Sequence, residues 1–261
     1  MSMGEILTEL RNLSPQETEA ELQALVKRYQ SAGGMGLSVL NLMGTQAESL
    51  LNKLPKGVQQ QLGGATEQAL HLAMQAARGS RRVLPGQTAQ VNRILSSAMG
   101  AAGGAAGLPG ALIELPATTA FLLRTVQDGA AAQGFDPNAD NVCFDCLRVF
   151  ASAGPLSRDD GADTGFYALR MSLSGQALSQ VIRTVAPRLA TAMGHKLAAQ
   201  AVPVLGAAAG ATVNYVYAGY YHEMALVHFG LRRLAVEADR PENDILEEFA
   251  ARIPLRPAGA K

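Results

Sequence analysis

Two blocks of Gly- and Ala-rich sequence, each attached to a long stretch with no acidic residue, restrict this chain more than any other feature. From Gln68 to Ile113 the charged side chains are Arg78, Arg81, Arg82 and Arg93, apart from His71, and the stretch leads into AMGAAGGAAGLPGALI. From Thr164 to His222 they are Arg170, Arg183, Arg188 and Lys196, apart from His195, and the stretch leads into LAAQAVPVLGAAAGATVNYVYAGYY. Glycines four apart line one helix face and let a second backbone come close. Gly100/Gly104 and Gly103/Gly107 have this spacing in the first block, and Gly206/Gly210 in the second. The pattern predicts two helical segments packed on each other, either inside a soluble core or as a hairpin that lies on or enters a bilayer.

Helix signals recur along the chain and strand signals do not, so the fold class is all-α. Ser14 and Glu17 have the spacing of a capping box with Pro15 at the first helical position, predicting a helix from Pro15 to about Ser31. Leu22, Leu25, Val26 and Tyr29 then share one face. Further helices are expected from Leu37 to Leu54 and from Thr66 to Arg78. Pro109 and Pro116 should divide the first apolar block into pieces too short for one straight helix. Asp136-Pro137 has the form of a cap and first turn that restarts a helix through Cys143, Leu147 and Phe150. The polar segment Ser157–Gly165 is an expected loop, followed by a long helix from Phe166 to about Met193. A single helical domain over residues 1–261 is expected, with polar N-terminal helices in 1–32 and an acidic C-terminal helix in 240–254.

The formal net charge of zero conceals a segregation: acids lie at the ends and in the middle, bases beside the apolar blocks. That arrangement suits an anionic, apolar surface such as a membrane, and it identifies no reaction. Arg78, Arg81, Arg82 and Arg93 are the candidate lipid-facing bases. The N-terminal segment mixes charges with amphipathic spacing and lacks the apolar core of a secretory signal, so a cytoplasmic location is expected. Two cysteines, Cys143 and Cys146, cannot form a disulfide framework and suit a reducing compartment. Leu197–Tyr221 approaches the length of a membrane span, but Gln200, Pro203, Thr212 and Asn214 interrupt it.

Motifs for cofactors fail on inspection. GAAGGAAGLPG lacks the Gly-Lys-Ser/Thr ending of a phosphate loop and follows no predicted strand. Cys143-Phe144-Asp145-Cys146 has redox spacing without a βαβ setting, so two packed thiols are expected. Asp136 to Asn141 begins like a calcium loop but has Asn141 in place of the turn glycine and Leu147 in place of the bidentate acid. No cofactor, metal or nucleic acid is therefore expected.

The catalytic candidates are Glu114, Tyr221, His222 and Glu223. His222 and His228 lie six residues apart, which puts their imidazoles on different helix faces and fits no helical metal site. Asn214, Tyr217, Tyr221 and His228 do share a face, where Asn214 needs a hydrogen-bond partner if buried. Glu114 is an isolated acid in apolar surroundings, and Arg124, Arg148 or Arg170 is its expected structural partner. Left unpaired in a cavity, it would be a general acid or base.

Taken together, Gly103 to Gly110, Glu114 with Pro116, Gly134-Phe135-Asp136, Val202 to Ala207 and Asn214 resemble the pattern of the EcsC protein family. Gly33 to Leu54 fits as well, so the resemblance covers most of the chain. The acid before x-Pro is usually Asp in that family, and Glu114 keeps its charge. The resemblance implies a bacterial, cytoplasmic or membrane-peripheral setting and a link to a membrane transporter or an envelope process, but no catalytic residue, cofactor or substrate. The expectation is a non-catalytic protein on the inner face of a membrane, binding lipid or an apolar membrane component. Its rivals are an enzyme acting on a lipid-like substrate through Glu114, His222, Glu223 or Tyr221, and a soluble adaptor that binds a protein through its acidic C-terminal helix.

Overall fold

The computed structural model describes residues 8–32, 64, 66–72, 88–105, 107–152, 182, 186 and 203–253. The fold is all-α, and no strand occurs among the described residues. The helices are α1 (Pro15–Ala32), α2 (Ala89–Ala105), α3 (Gly107–Ala132), α4 (Asp140–Ser152), α5 (Pro203–Glu237) and α6 (Glu242–Arg252); residues 66–72 are helical as well.

Local sequence explains where several of these begin and end. Ser14 and Glu17 close a reciprocal cap on α1: the Ser14 hydroxyl accepts from the Glu17 N–H at 3.3 Å, while the Glu17 carboxylate accepts from the Ser14 N–H at 2.8 Å. At the end of α3 the N–H of Phe135 reaches the carbonyl of Ala130 and that of Gly134 reaches Ala131, with Gly134 at φ 85°. The end of α5 repeats the motif through Arg240 to Ala235 and Asp239 to Val236, with Asp239 at φ 50°. Both are Schellman stops, which need a left-handed residue just beyond the helix. Two expectations are corrected here. Asp136-Pro137 does not start α4: the Asp136 carboxylate accepts from the Asn138 N–H at 2.9 Å, folding a side-chain turn, and the helix begins at Asp140. Pro116 does not divide α3, which runs for 26 residues through it. Interior proline costs a ladder hydrogen bond, about 3 kcal/mol, and packing of α3 against α2, α4 and α5 offsets that cost. Pro109 stands in the first turn of α3, where its missing N–H has no intrahelical partner to lose.

The 35-residue α5, about 50 Å long, touches each of the other five helices. Its first half, rich in Gly and Ala, lies antiparallel against α2, so the two small-residue blocks pack on each other: a Cβ placed on Gly100 would stand 2.1 Å from the Gly210 carbonyl oxygen. An apolar core joins α3, α4 and the middle of α5 through residues such as Leu123, Val126, Phe150, Tyr217 and Tyr221, with Cys143 and Cys146 buried in it. A second core gathers Leu22 and Leu25 of α1, Leu231 and Leu234 of α5, and Ile245 and Phe249 of α6. The expected helices Leu37–Leu54 and Phe166–Met193 and the loop Ser157–Gly165 lie outside the described residues. Among the described residues no helix is long and apolar enough to cross a membrane.

Candidate functional site

Helix α2 is turned inside out. Its buried residues are Asn92, Ser96, Gly100, Gly103 and Gly104, whereas Val91, Ile94 and Leu95 are exposed, Ile94 by 63%. A helix on a water-facing protein normally buries its aliphatic stripe and exposes its polar one. Nearby, Tyr215 of α5 and Ile113 of α3 are exposed as well.

The buried side of α2 is polar because it meets a seam of hydrogen-bonding groups on α3 and α5. Where the two Gly/Ala blocks cross, the Ser96 hydroxyl donates to the Asn214 carbonyl at 3.1 Å, and the Asn214 amide donates to the Ser96 carbonyl at 2.9 Å. The same amide donates to the Glu114 carboxylate at 3.0 Å, and the Thr118 hydroxyl also donates to it. That carboxylate occupies the space over Gly103, where a Cβ would stand 2.1 Å from it. The fully buried Asn214 thus clamps two backbones and one acid, and its Oδ1 has no hydrogen-bond partner. Among the described residues the partners of Glu114 include this amide and a hydroxyl, and two of the three arginines expected for it are placed elsewhere. Arg148 pairs with Asp145 at 3.3 Å, Arg124 stands about 15 Å further along α3, and Arg170 lies outside the described residues.

Two turns along α5 the seam continues. The Asn92 amide donates to Asp128 at 2.9 Å. His222 hydrogen-bonds the Thr125 backbone, and burial pushes its imidazole below the ordinary value despite the pull of Glu223. Outside this layer Arg93 lies across α5, 3.9 Å from Glu223 and 5.8 Å from the Tyr215 ring centroid, with Gly219 beneath it. Glu223 also accepts from Arg28 of α1 at 2.9 Å. Tyr221 turns into the aromatic core, 4.8 Å from Phe150 and 6.0 Å from Tyr217.

The four catalytic candidates therefore occupy separate settings: Glu114 in the helix crossing, His222 against α3, Glu223 in an ion pair and Tyr221 in the core. No nucleophile and base are brought together among them. Nor does any group of three or more His, Cys, Asp or Glu side chains among the described residues have the arrangement to hold a metal ion. Of the candidate basic residues, Arg93 is placed as described, and Arg78, Arg81 and Arg82 lie outside the described residues. Gly210 faces Gly100; Gly206 falls within α5, and its surroundings lie outside the described residues.

Sequence reasoning missed the ionic cluster at the other end of α5. Asp145 accepts from Arg232 at 2.7 Å and from Arg148 at 3.3 Å, with His228 at 3.7 Å, all of them buried. Arg232 also stacks over Phe135 at 5.0 Å. The available signal was the acid between Cys143 and Cys146 with Arg148 three residues on, a charge pair on one face of a helix that also carries Val142, Leu147 and Phe150, which the cysteine spacing drew attention away from. Glu237 is a similar case: burial would raise its carboxyl, but hydrogen bonds from Arg11 and Arg233 outweigh this and hold it below the ordinary range.

No curated protein and no solved structure matches this chain. The EcsC protein family model, in contrast, matches residues 80–234, which include α2, α3, α4 and α5 up to Leu234, with the seam from Asn92 to His222 and the cluster around Asp145. The chain belongs to the EcsC protein family.

Proposed function

We propose that this is a non-catalytic, membrane-peripheral protein that holds an anionic lipid surface against the outer face of α2. The inverted helix carries the reading. Val91, Ile94 and Leu95 recur at helical spacing on the exposed side, while the polar and small residues of α2 are spent on α3 and α5. Small and hydrogen-bonding residues inside, with aliphatic residues outside, is the distribution favoured where the outer medium is apolar. The absence of any acid from Gln68 to Ile113 removes the repulsion that an anionic surface would otherwise exert there.

The expected strength is moderate. Removing three part-exposed aliphatic side chains from water stabilises the bound state by on the order of 4 kcal/mol, and an arginine at an anionic surface adds about 1 kcal/mol. The sum corresponds to roughly sub-millimolar partitioning, so lasting attachment draws on further basic residues or a membrane partner such as a transporter. Flotation of the full chain with phosphatidylcholine vesicles containing phosphatidylglycerol, beside vesicles of phosphatidylcholine alone, tests this. Binding should prefer the anionic vesicles, weaken with salt, and be lost in the Ile94→Glu/Leu95→Glu variant with its melting temperature intact. Folded wild-type protein that floats with neither vesicle would overturn the reading in favour of a soluble adaptor.

A further inference from the structure

Arg93 precedes the exposed Ile94 and Leu95 on α2, and its own partners leave it incompletely used. Its side chain is 29% exposed, and its Nε is buried with no hydrogen-bond partner. The contact with Glu223 is a 3.9 Å ion pair, and the other oxygen of that carboxylate is taken by Arg28 at 2.9 Å. Two guanidinium groups therefore share one carboxylate. On the inner side of α2, Asp128 is engaged by Asn92 at 2.9 Å.

The bed on which Arg93 lies is a stripe of α5 at four-residue intervals: Tyr215, Gly219 and Glu223. A Cβ on Gly219 would stand 2.8 Å from the Arg93 Nε and 2.9 Å from its Cζ, so this glycine is the notch that lets the guanidinium lie flat against the helix. Tyr215, itself exposed, places its ring centroid 5.8 Å from the guanidinium carbon. A planar guanidinium seated flat on a helix with its Nε buried leaves its two terminal nitrogens as a fork, the geometry that takes two oxygens of a phosphate at once.

We propose that Arg93, lodged in the Gly219 notch beside Tyr215, is a phosphate-recognition residue that binds the headgroup phosphate of an anionic lipid whose chains meet Ile94 and Leu95. The proposal rests on the membrane reading above and adds the group that recognises the headgroup. Free inorganic phosphate offers the same chemistry, and the experiment separates the two sources.

Vesicle partitioning is measured for the full-length wild type, Arg93→Gln, Arg93→Lys and Gly219→Ala, with phosphatidylcholine vesicles alone and with added phosphatidic acid. Melting temperature is the control for folding. Arg93→Gln should lower partitioning to the phosphatidic acid vesicles about fivefold, the equivalent of about 1 kcal/mol, and leave the neutral vesicles unchanged. Arg93→Lys should fall between, because the charge remains and the fork is lost. Gly219→Ala is the sharper variant: the new methyl meets only the end of a flexible side chain, so the helix keeps or gains stability while the guanidinium is displaced and partitioning drops. Inorganic phosphate should compete better than chloride at equal ionic strength. Variants that partition like a wild type that itself prefers phosphatidic acid overturn this proposal and leave the membrane reading standing. Wild type that binds no vesicle overturns both, and wild type stabilised by inorganic phosphate but bound to no vesicle also overturns the lipid as the source of the anion.

Discussion

Along the first half of α5, from Pro203 to Tyr221, no residue is charged, and neighbouring helices are held by missing side chains and by amide and hydroxyl hydrogen bonds: Gly100 against Gly210, Ser96 and Glu114 on Asn214. Along the second half, from His222 to Glu237, α1, α4 and α6 are held by leucine and phenylalanine packing stitched with ion pairs, among them Arg232–Asp145 to α4 and Arg28–Glu223 to α1. The same helix thus uses backbone proximity at one end and charge at the other. The contrast follows the surroundings. Around the second half aliphatic residues are packed inside, the Arg232–Asp145 pair is buried with them, and Arg28–Glu223 and Arg11–Glu21 lie toward water; on the α2 side of the first, polar and small residues are inside and Val91, Ile94, Leu95 and Tyr215 are outside. A membrane-facing role for the first half fits that inversion.

The contrast predicts that volume should be critical at one end and charge at the other. Arg232→Met should give the largest loss, about 4 kcal/mol, because it leaves the buried Asp145 with one strong cationic partner fewer; denaturant unfolding would measure it, and a near-neutral effect would mean the charged end is held by packing alone. Gly100→Leu should follow at about 3 kcal/mol, since its side chain meets backbone that can yield only by moving α2 from α5. A melting temperature unchanged by that variant would remove close backbone approach as the basis of the first half. Glu237→Gln should cost about 1 kcal/mol at neutral pH. Its carboxyl is held below the ordinary value in the fold, so its stabilisation is complete above the unfolded carboxylate range and disappears as pH falls through the folded value. The gap between the melting temperatures of wild type and variant should therefore close on acidification. The smallest stability effect is expected for Ile94→Ser, within about 0.5 kcal/mol, because that residue is 63% exposed; vesicle flotation rather than melting should register the change.

Much of the local structure was legible because the forces that set it act over a few residues. The Ser14–Glu17 cap lies within one turn and the Gly-x-x-x-Gly spacing is a property of one helix face. Pro116 and Asp136-Pro137 were misjudged for the same reason: local rules assign each a break or a start, but packing carried α3 through the proline and the Asp136 side chain folded a turn first. Glu114 shows the limit for the site. Its isolation was visible, yet its partner Asn214 lies 100 residues away and was one polar residue among several on its face.

What the sequence determined by itself is the helical class, the cap of α1, the small-residue blocks and the acid-free stretches, all of which are properties of spacing and composition. The tertiary structure alone decided which way α2 faces. Periodicity shows that Asn92, Ser96 and Gly100 share one side and that Val91, Ile94 and Leu95 share another, but which side is buried depends on what is packed against it. Asn214 and Asp128 supply the hydrogen bonds that make the polar side the cheaper one to bury. Those partners come from α5 and α3, and only the folded chain brings them to α2.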